Sequence, residues 1–275
     1  MPGTNNEENM IRFTQPHFSD ESYKEILHAI TSNGYEPLRL DEISQTVSGN
    51  IHTIWGKANV TDTLQNNGKY FILRHDVDMS LDGALKLGRL DKEQGVISNF
   101  FFQLNSATYQ MLSEKCVSIC KELQQMGHVV GLHIDSALFK EDEENILETI
   151  NWIRDSLFPM DYAVSFHRPG NDTLGRKYKS FVSAYSEELF NTEYYASDSR
   201  GEDFFYEKLE SMLDRQVPYF QLLLHPCWWE EETDKAKICA RLKNRYAEFL
   251  DDYLLGNFPK VFGGIIRRER DNVPA

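Results

Sequence analysis

Apolar positions fall into two patterns that alternate along the chain. Short unbroken runs at 70–76, 97–104, 128–134, 162–167 and 219–224 have the length and β-branched or aromatic content of buried strands. Between them lie stripes at three- and four-residue spacing. These are Leu81, Leu85 and Leu90 within 80–94; Tyr109, Leu112, Cys116, Ile119, Leu123 and Met126 within 107–126; and Ile146, Ile150, Ile153 and Leu157 within 142–157. Such stripes predict amphipathic helices. Ser80 suits an N-cap, and Gly95 and Gly127 suit stops. A further helix is expected over 18–34, a polar loop over 61–68 and a long helix over 234–255, with less regular alternation through 176–217. Strand–helix alternation without a glycine-rich phosphate loop predicts an α/β fold with parallel strands.

Four of the runs end in ionisable residues. The first, Tyr70 to Asp78, places Arg74, Asp76 and Asp78 two positions apart, on one face of an extended strand. Neighbouring carboxylates repel, so both stay ionised only beside a cation, either Arg74 or a metal. An isolated pair of this kind reads most simply as solvated acids at a strand end. Three later runs change that reading: Gly127 to Asp135, Val164 to Gly170 and Phe220 to Pro226 each end in a histidine-containing cluster. Five of the eight histidines lie in these four segments. Ionisable groups gathered at the C-terminal ends of several strands are the way α/β barrels build active sites.

Composition narrows the reading. With 275 residues and 41% hydrophobic content, the chain can bury one barrel-sized core. A net charge of −14 argues against nucleic acid or an anionic membrane as non-specific partner. No apolar segment approaches membrane-spanning length. Residues 1–17 read as a flexible, polar tail without the pattern of a signal peptide. The four cysteines form no C-x-x-C pair, and Cys116, Cys120 and Cys227 read as packed thiols. The expectation is a reduced, cytoplasmic protein.

The histidine- and aspartate-bearing segments, in this order, resemble the motifs of the polysaccharide deacetylase family (NodB-like, carbohydrate esterase family 4) between Phe71 and Trp229, in particular a D-V-D branch linked to surface polysaccharides. The resemblance implies a distorted, NodB-like (β/α) barrel of seven strands, here one domain over 18–275 with N- and C-terminal helical additions. It implies Asp76 as catalytic base, Asp78 and His133 as metal ligands, Arg168 as the group that orients the base, and His225 as the general acid, tuned by Asp198. Trp228 and Trp229 would wall the substrate, or equally cover the barrel mouth as core residues. One position departs from the pattern: Ala137 stands where a second histidine ligand belongs.

A catalytic zinc takes three protein ligands and leaves one position open. His167 is the first candidate for the missing ligand, Asp135 the second and His128 the weakest, since His128 faces away from His133 in a regular strand. Strand parity opposes His167 and Arg168 both facing the site. The function implied is a metal-dependent hydrolase, zinc being the first choice of metal, that removes an N-acetyl or similar acyl group from a carbohydrate such as a surface-polysaccharide precursor. The alternatives are a metal-free pseudoenzyme that binds a sugar or protein, and a hydrolase of a non-sugar linear amide.

Overall fold

A computed structural model describes residues 10–14, 17–47, 50–52, 58–59, 68–135, 142–229 and 234–271. Ala137, residues 1–9 and most of the loop expected over 61–68 lie outside the described residues. The chain divides into two compact units, Met1–Glu231 and Glu232–Ala275.

In the first unit, α1 (Asp20–Ser32) starts where the Ser19 side chain accepts from Ser22 N–H, and it buries Tyr23, Ile26, Leu27 and Ile30. After β1 (Tyr35–Pro37), the short strands β2 (Ile43–Val47), β3 (Asn50–His52) and β4 (Ala58–Asn59) form a separate three-stranded sheet. Regular alternation follows: β5 (Lys69–Val77), α2 (Leu81–Glu93), β6 (Asn99–Gln103), α3 (Glu114–Gln125), β7 (Val129–Asp135), α4 (Glu143–Ser156) and β8 (Ala163–His167). Then come β9 (Val182–Ser183), β10 (Tyr195–Ser197), α5 (Glu202–Asp214) and β11 (Tyr219–Leu224). The second unit consists of α6 (Lys235–Asn257) and α7 (Pro259–Asp271). The helix expected over 107–126 begins only at Glu114. Ser113 caps it by accepting from Cys116 N–H, and the preceding turns send Tyr109 and Met111 into the core while Leu112 is exposed.

Strands β10, β11, β5, β6, β7, β8 and β9 form one seven-strand path in which every neighbouring pair is parallel, and β1 adds to the start of β5. The path curls. Gln221 of β11 donates to the carbonyls of Ala184 and Leu189, which follow β9, at 3.0 and 3.2 Å. This is the distorted (β/α) barrel expected.

Alternation along each strand sorts the side chains. Phe71 and Leu73 of β5 pack outward with Tyr23, Ile26 and Leu209. Ile72 packs inward on Phe101, Val129, Ala163 and Leu189, an apolar floor for the barrel. Above that floor the interior turns polar, with Arg74, Ser165 and Gln221 all buried. Gly131 is needed at this level, because a Cβ there would collide with the Ala163 carbonyl oxygen across the β7–β8 pairing. A third cluster, including Phe100, Phe102, Leu132, Val164 and Phe166, packs with Ile119, Leu123, Ile146, Ile150 and Ile153 of the covering helices. His128 belongs to the packing: Nδ1 accepts from Ser98 N–H at 3.1 Å and Nε2 donates to the Gly88 carbonyl at 2.8 Å.

A candidate metal and catalytic centre

Each side chain of the site stands at the end of a strand. Asp76 and Asp78 close β5, Gln103 closes β6, His133 lies near the end of β7, His167 closes β8 and His225 follows β11. Parallel register brings them level, with Gln103 opposite His133 and His133 opposite Ser165.

Three donor atoms converge. Asp78 Oδ1 lies 3.2 Å from His133 Nε2 and 3.4 Å from His167 Nδ1, and the two nitrogens are 3.3 Å apart. Together the three residues form a group able to hold a metal ion. Metal–ligand bonds of about 2.0–2.1 Å in tetrahedral geometry place ligand atoms about 3.3 Å apart, so the spacing fits. The proton arrangement fits too. Ser165 Oγ accepts from Arg74 at 2.6 Å and lies 3.0 Å from Asp76 Oδ1 and 2.9 Å from His133 Nδ1. With the serine hydroxyl donating to Asp76, His133 carries its proton on Nδ1 and turns a bare Nε2 toward the other two donors. Bare acceptors in mutual contact repel unless a cation lies between them, and orientation of a ligating imidazole through its other nitrogen is the usual arrangement in metal sites.

Arg74 is fully buried and grips Asp76 in bidentate fashion, Nε to Oδ1 at 2.8 Å and Nη2 to Oδ2 at 2.6 Å. Its Nη2 also donates to Tyr185 Oη at 2.8 Å and its Nη1 to Gln221 Oε1 at 3.2 Å. Burial pushes the Asp76 carboxyl up, but the charge and hydrogen bonds of Arg74 outweigh it and hold Asp76 below the usual carboxylate range. When the imidazoles instead carry protons on the facing nitrogens, burial still acts upward on Asp78, and the hydrogen bonds of His133 and His167, with the charges of His133 and His225, bring it down. Gln103 Nε2 donates to Asp78 Oδ1 at 2.7 Å.

On the far side of Asp78, His225 Nδ1 donates to Asp198 Oδ1 at 2.6 Å, leaving Nε2 facing Asp78 Oδ2 at 3.8 Å. Asp198 is buried and also accepts from His225 N–H at 2.6 Å and Trp229 Nε1 at 2.9 Å. Burial lowers the His225 pKa, but Asp198, Asp76 and Asp78 together raise it to about 9.

The structure thus gathers Asp76, Asp78, His133, His167, Asp198 and His225, sets Arg168 apart from them, and favours the core reading of Trp229 over the substrate wall. Arg168 does not hold Asp76. It is exposed, with φ of 53°, and Arg74 grips Asp76 instead. Trp229 offers no face to a sugar. It is 0% exposed and packs on Phe18, Tyr23 and Phe205 while orienting Asp198; Trp228 stays partly exposed. Asp135 pairs in register with His167 but is not one of the three converging donors. Sequence reasoning missed Gln103, Ser165, Tyr185 and Gln221, although the two-residue spacing of Arg74 and Asp76 did signal the buried ion pair.

No known family profile matches the chain, and no curated protein matches it. Among solved structures it is similar to a peptidoglycan deacetylase of Bdellovibrio bacteriovorus, with TM-score 0.39 and 14% identity over 77% of this chain and 56% of that one. It is also similar to the chitin deacetylase of Colletotrichum lindemuthianum, with TM-score 0.37 and 12% identity over 64% and 81%. A third is a family 4 carbohydrate esterase of Bacillus anthracis, with TM-score 0.30 and 18% identity over 74% and 96%. The chain therefore spans just over half of the first of these. Likenesses at these levels assign no function, and what the site can do follows from its own residues. No described helix is long and apolar enough to cross a membrane.

Proposed function

We propose that this protein is a metal-dependent hydrolase that removes an acyl group, acetyl first among candidates, from the nitrogen of a carbohydrate. The observation that carries the reading is the convergence of Asp78, His133 and His167 within 3.2–3.4 Å of one another, beside a buried carboxylate and opposite an imidazole. Zinc is the proposed metal, since one carboxylate and two imidazoles suit it. A divalent cation held there would polarise an acyl oxygen and acidify a water.

The remaining chemistry belongs to the chain. Asp76 is the proton acceptor. Its pKa is held down by Arg74, so it is ionised at neutral pH and takes a proton only from an acidified donor, which couples its role to the ligand set. Ser165 and Arg74 fix both carboxylate oxygens, so the direction of proton transfer is set before substrate arrives. His225 is protonated at neutral pH, its Nδ1–H held by Asp198 and its Nε2–H turned into the site, where it can protonate a departing amine. The products are a free amine and a carboxylate.

The test pairs metal content with acetate release from N-acetylated oligosaccharides. Asp76→Asn and His225→Ala should keep the metal and lose at least roughly a hundredfold in rate. Asp78→Ala and His133→Ala should lose both. Full turnover in Asp76→Asn would sink the assignment.

A further inference from the structure

Eleven large apolar side chains are exposed among the described residues, and seven belong to the second unit. Four of these form a stripe on α6, with Tyr246 52%, Phe249 49%, Leu250 51% and Tyr253 54% exposed. Their spacing of three, one and three residues puts them on one helix face. An uncovered stripe of this kind marks an interaction surface.

Charge along the same helix says what fits it. From Lys235 to Arg245 the helix carries Lys235, Lys237, Arg241, Lys243 and Arg245 and no acid; from Tyr246 to Asn257 it carries Glu248, Asp251 and Asp252 and no base. The stripe begins where the sign changes. A second copy of the helix laid antiparallel, stripe on stripe, sets each basic half along the other's acidic half, whereas a parallel copy sets like against like. We propose that α6 is a homodimerisation surface that pairs antiparallel with its counterpart in a second copy of this chain, about a two-fold axis near Phe249. Such contacts are isologous: Arg245 of each copy, flanking the stripe on the same side as Asp252, approaches Asp252 of the other. Half-exposed side chains of this size offer on the order of 100 Å² each. Four per copy fall below the about 800 Å² of a standard interface, so the dimer is weak, and charge sets its direction.

Sedimentation velocity on the full chain, over a hundredfold concentration range at low ionic strength, tests this. The expected result is a concentration-dependent dimer that added salt weakens and Phe249→Glu abolishes. The decisive pair is Lys243→Glu/Arg245→Glu and Asp251→Lys/Asp252→Lys, each checked for native circular dichroism. Each variant alone should be monomeric, because the side chains that would pair across the axis then carry one sign, and the mixture should recover a dimer. A wild type that stays monomeric at every concentration overturns the proposal. So does a dimer that survives Phe249→Glu, or a mixture of folded charge variants that fails to associate.

Discussion

At the scale of single residues, the interior is organised around one buried charge pair. Arg74 and Asp76 lie on the same strand, two residues apart, and each is the other's principal compensation in a space that excludes water. Removing one member of such a pair strands the other, which costs about 3–5 kcal/mol, whereas replacing both with apolar groups costs far less. Arg74→Ala and Asp76→Ala should each lower the urea-unfolding free energy by that order, and Arg74→Met/Asp76→Leu should lose much less than their sum. A double variant whose loss equals that sum would show that the two charges do not depend on each other. Arg74→Lys should also be costly, by about 1–3 kcal/mol, because an ammonium cannot reproduce the two parallel bonds to the carboxylate. This pair was half legible in the sequence. Strand periodicity puts Arg74 and Asp76 on one face, but which of Arg74 and Arg168 holds the carboxylate depends on the left-handed turn at Arg168, which no local pattern announces.

At the scale of elements, strand ends are joined by contacts between segments far apart in the chain, and two of these give tests. Asp161, just before β8, accepts from Val130 N–H at 2.7 Å and ties the start of β8 to β7. Burial raises its pKa to about 6, Asp41 adding to the effect and the Val130 bond opposing it. The folded state therefore binds this proton more tightly than the unfolded chain, whose aspartates titrate near about 3.9. Its contribution is full below about pH 4 and is lost as pH rises through about 6. Asp161→Asn keeps an acceptor for Val130 and removes the charge, so the variant should gain on the order of 2 kcal/mol relative to wild type between pH 4 and pH 7. Equal stability profiles across that range would refute the assignment. Gly131→Ala should cost about 1–3 kcal/mol, read as a lowered urea midpoint, because its methyl meets the Ala163 carbonyl with no space to move into. The long strands and their following helices were legible because period and length agree. The strands β1, β3, β4, β9 and β10 were not, being two or three residues long, too short for a period to show, and β2, apolar only at its two ends, lacks the apolar run that marks the equally long β6 and β8. Gln103, Ser165 and Gln221 were illegible for a related reason: their partners are set by register between strands, and polar residues in apolar runs carry no sign of what they will face.

At the scale of the whole molecule, the site sits where the fold has a deficit of positive charge. Asp76, Asp78 and Asp198 all face one barrel mouth. Arg74 neutralises the first and His225 answers the last, while Asp78 is left with imidazoles and Gln103. A cation bound to the folded chain and not to the unfolded one stabilises it by mass action, by about 2.7 kcal/mol at a free concentration a hundredfold above its dissociation constant. For a chain of this size each kcal/mol moves the midpoint by about 2–4 °C, so saturating zinc should raise the melting temperature by roughly 5–10 °C, and chelator should reverse the gain. The shift must follow the three converging donors and nothing else in the mouth. Asp78→Ala, His133→Ala and His167→Ala should each abolish it, while Asp135→Ala and His225→Ala should retain it. His167 is the sharpest arm of that set. It is the only donor of the three that is a quarter exposed, with side-chain exposure of 24% against 1% for His133 and 19% for Asp78, so its loss disturbs packing least and isolates coordination. A zinc-dependent shift that persists undiminished in His167→Ala, or that vanishes in Asp135→Ala, would place the cation elsewhere in the mouth and remove the ligand set on which the hydrolase reading depends.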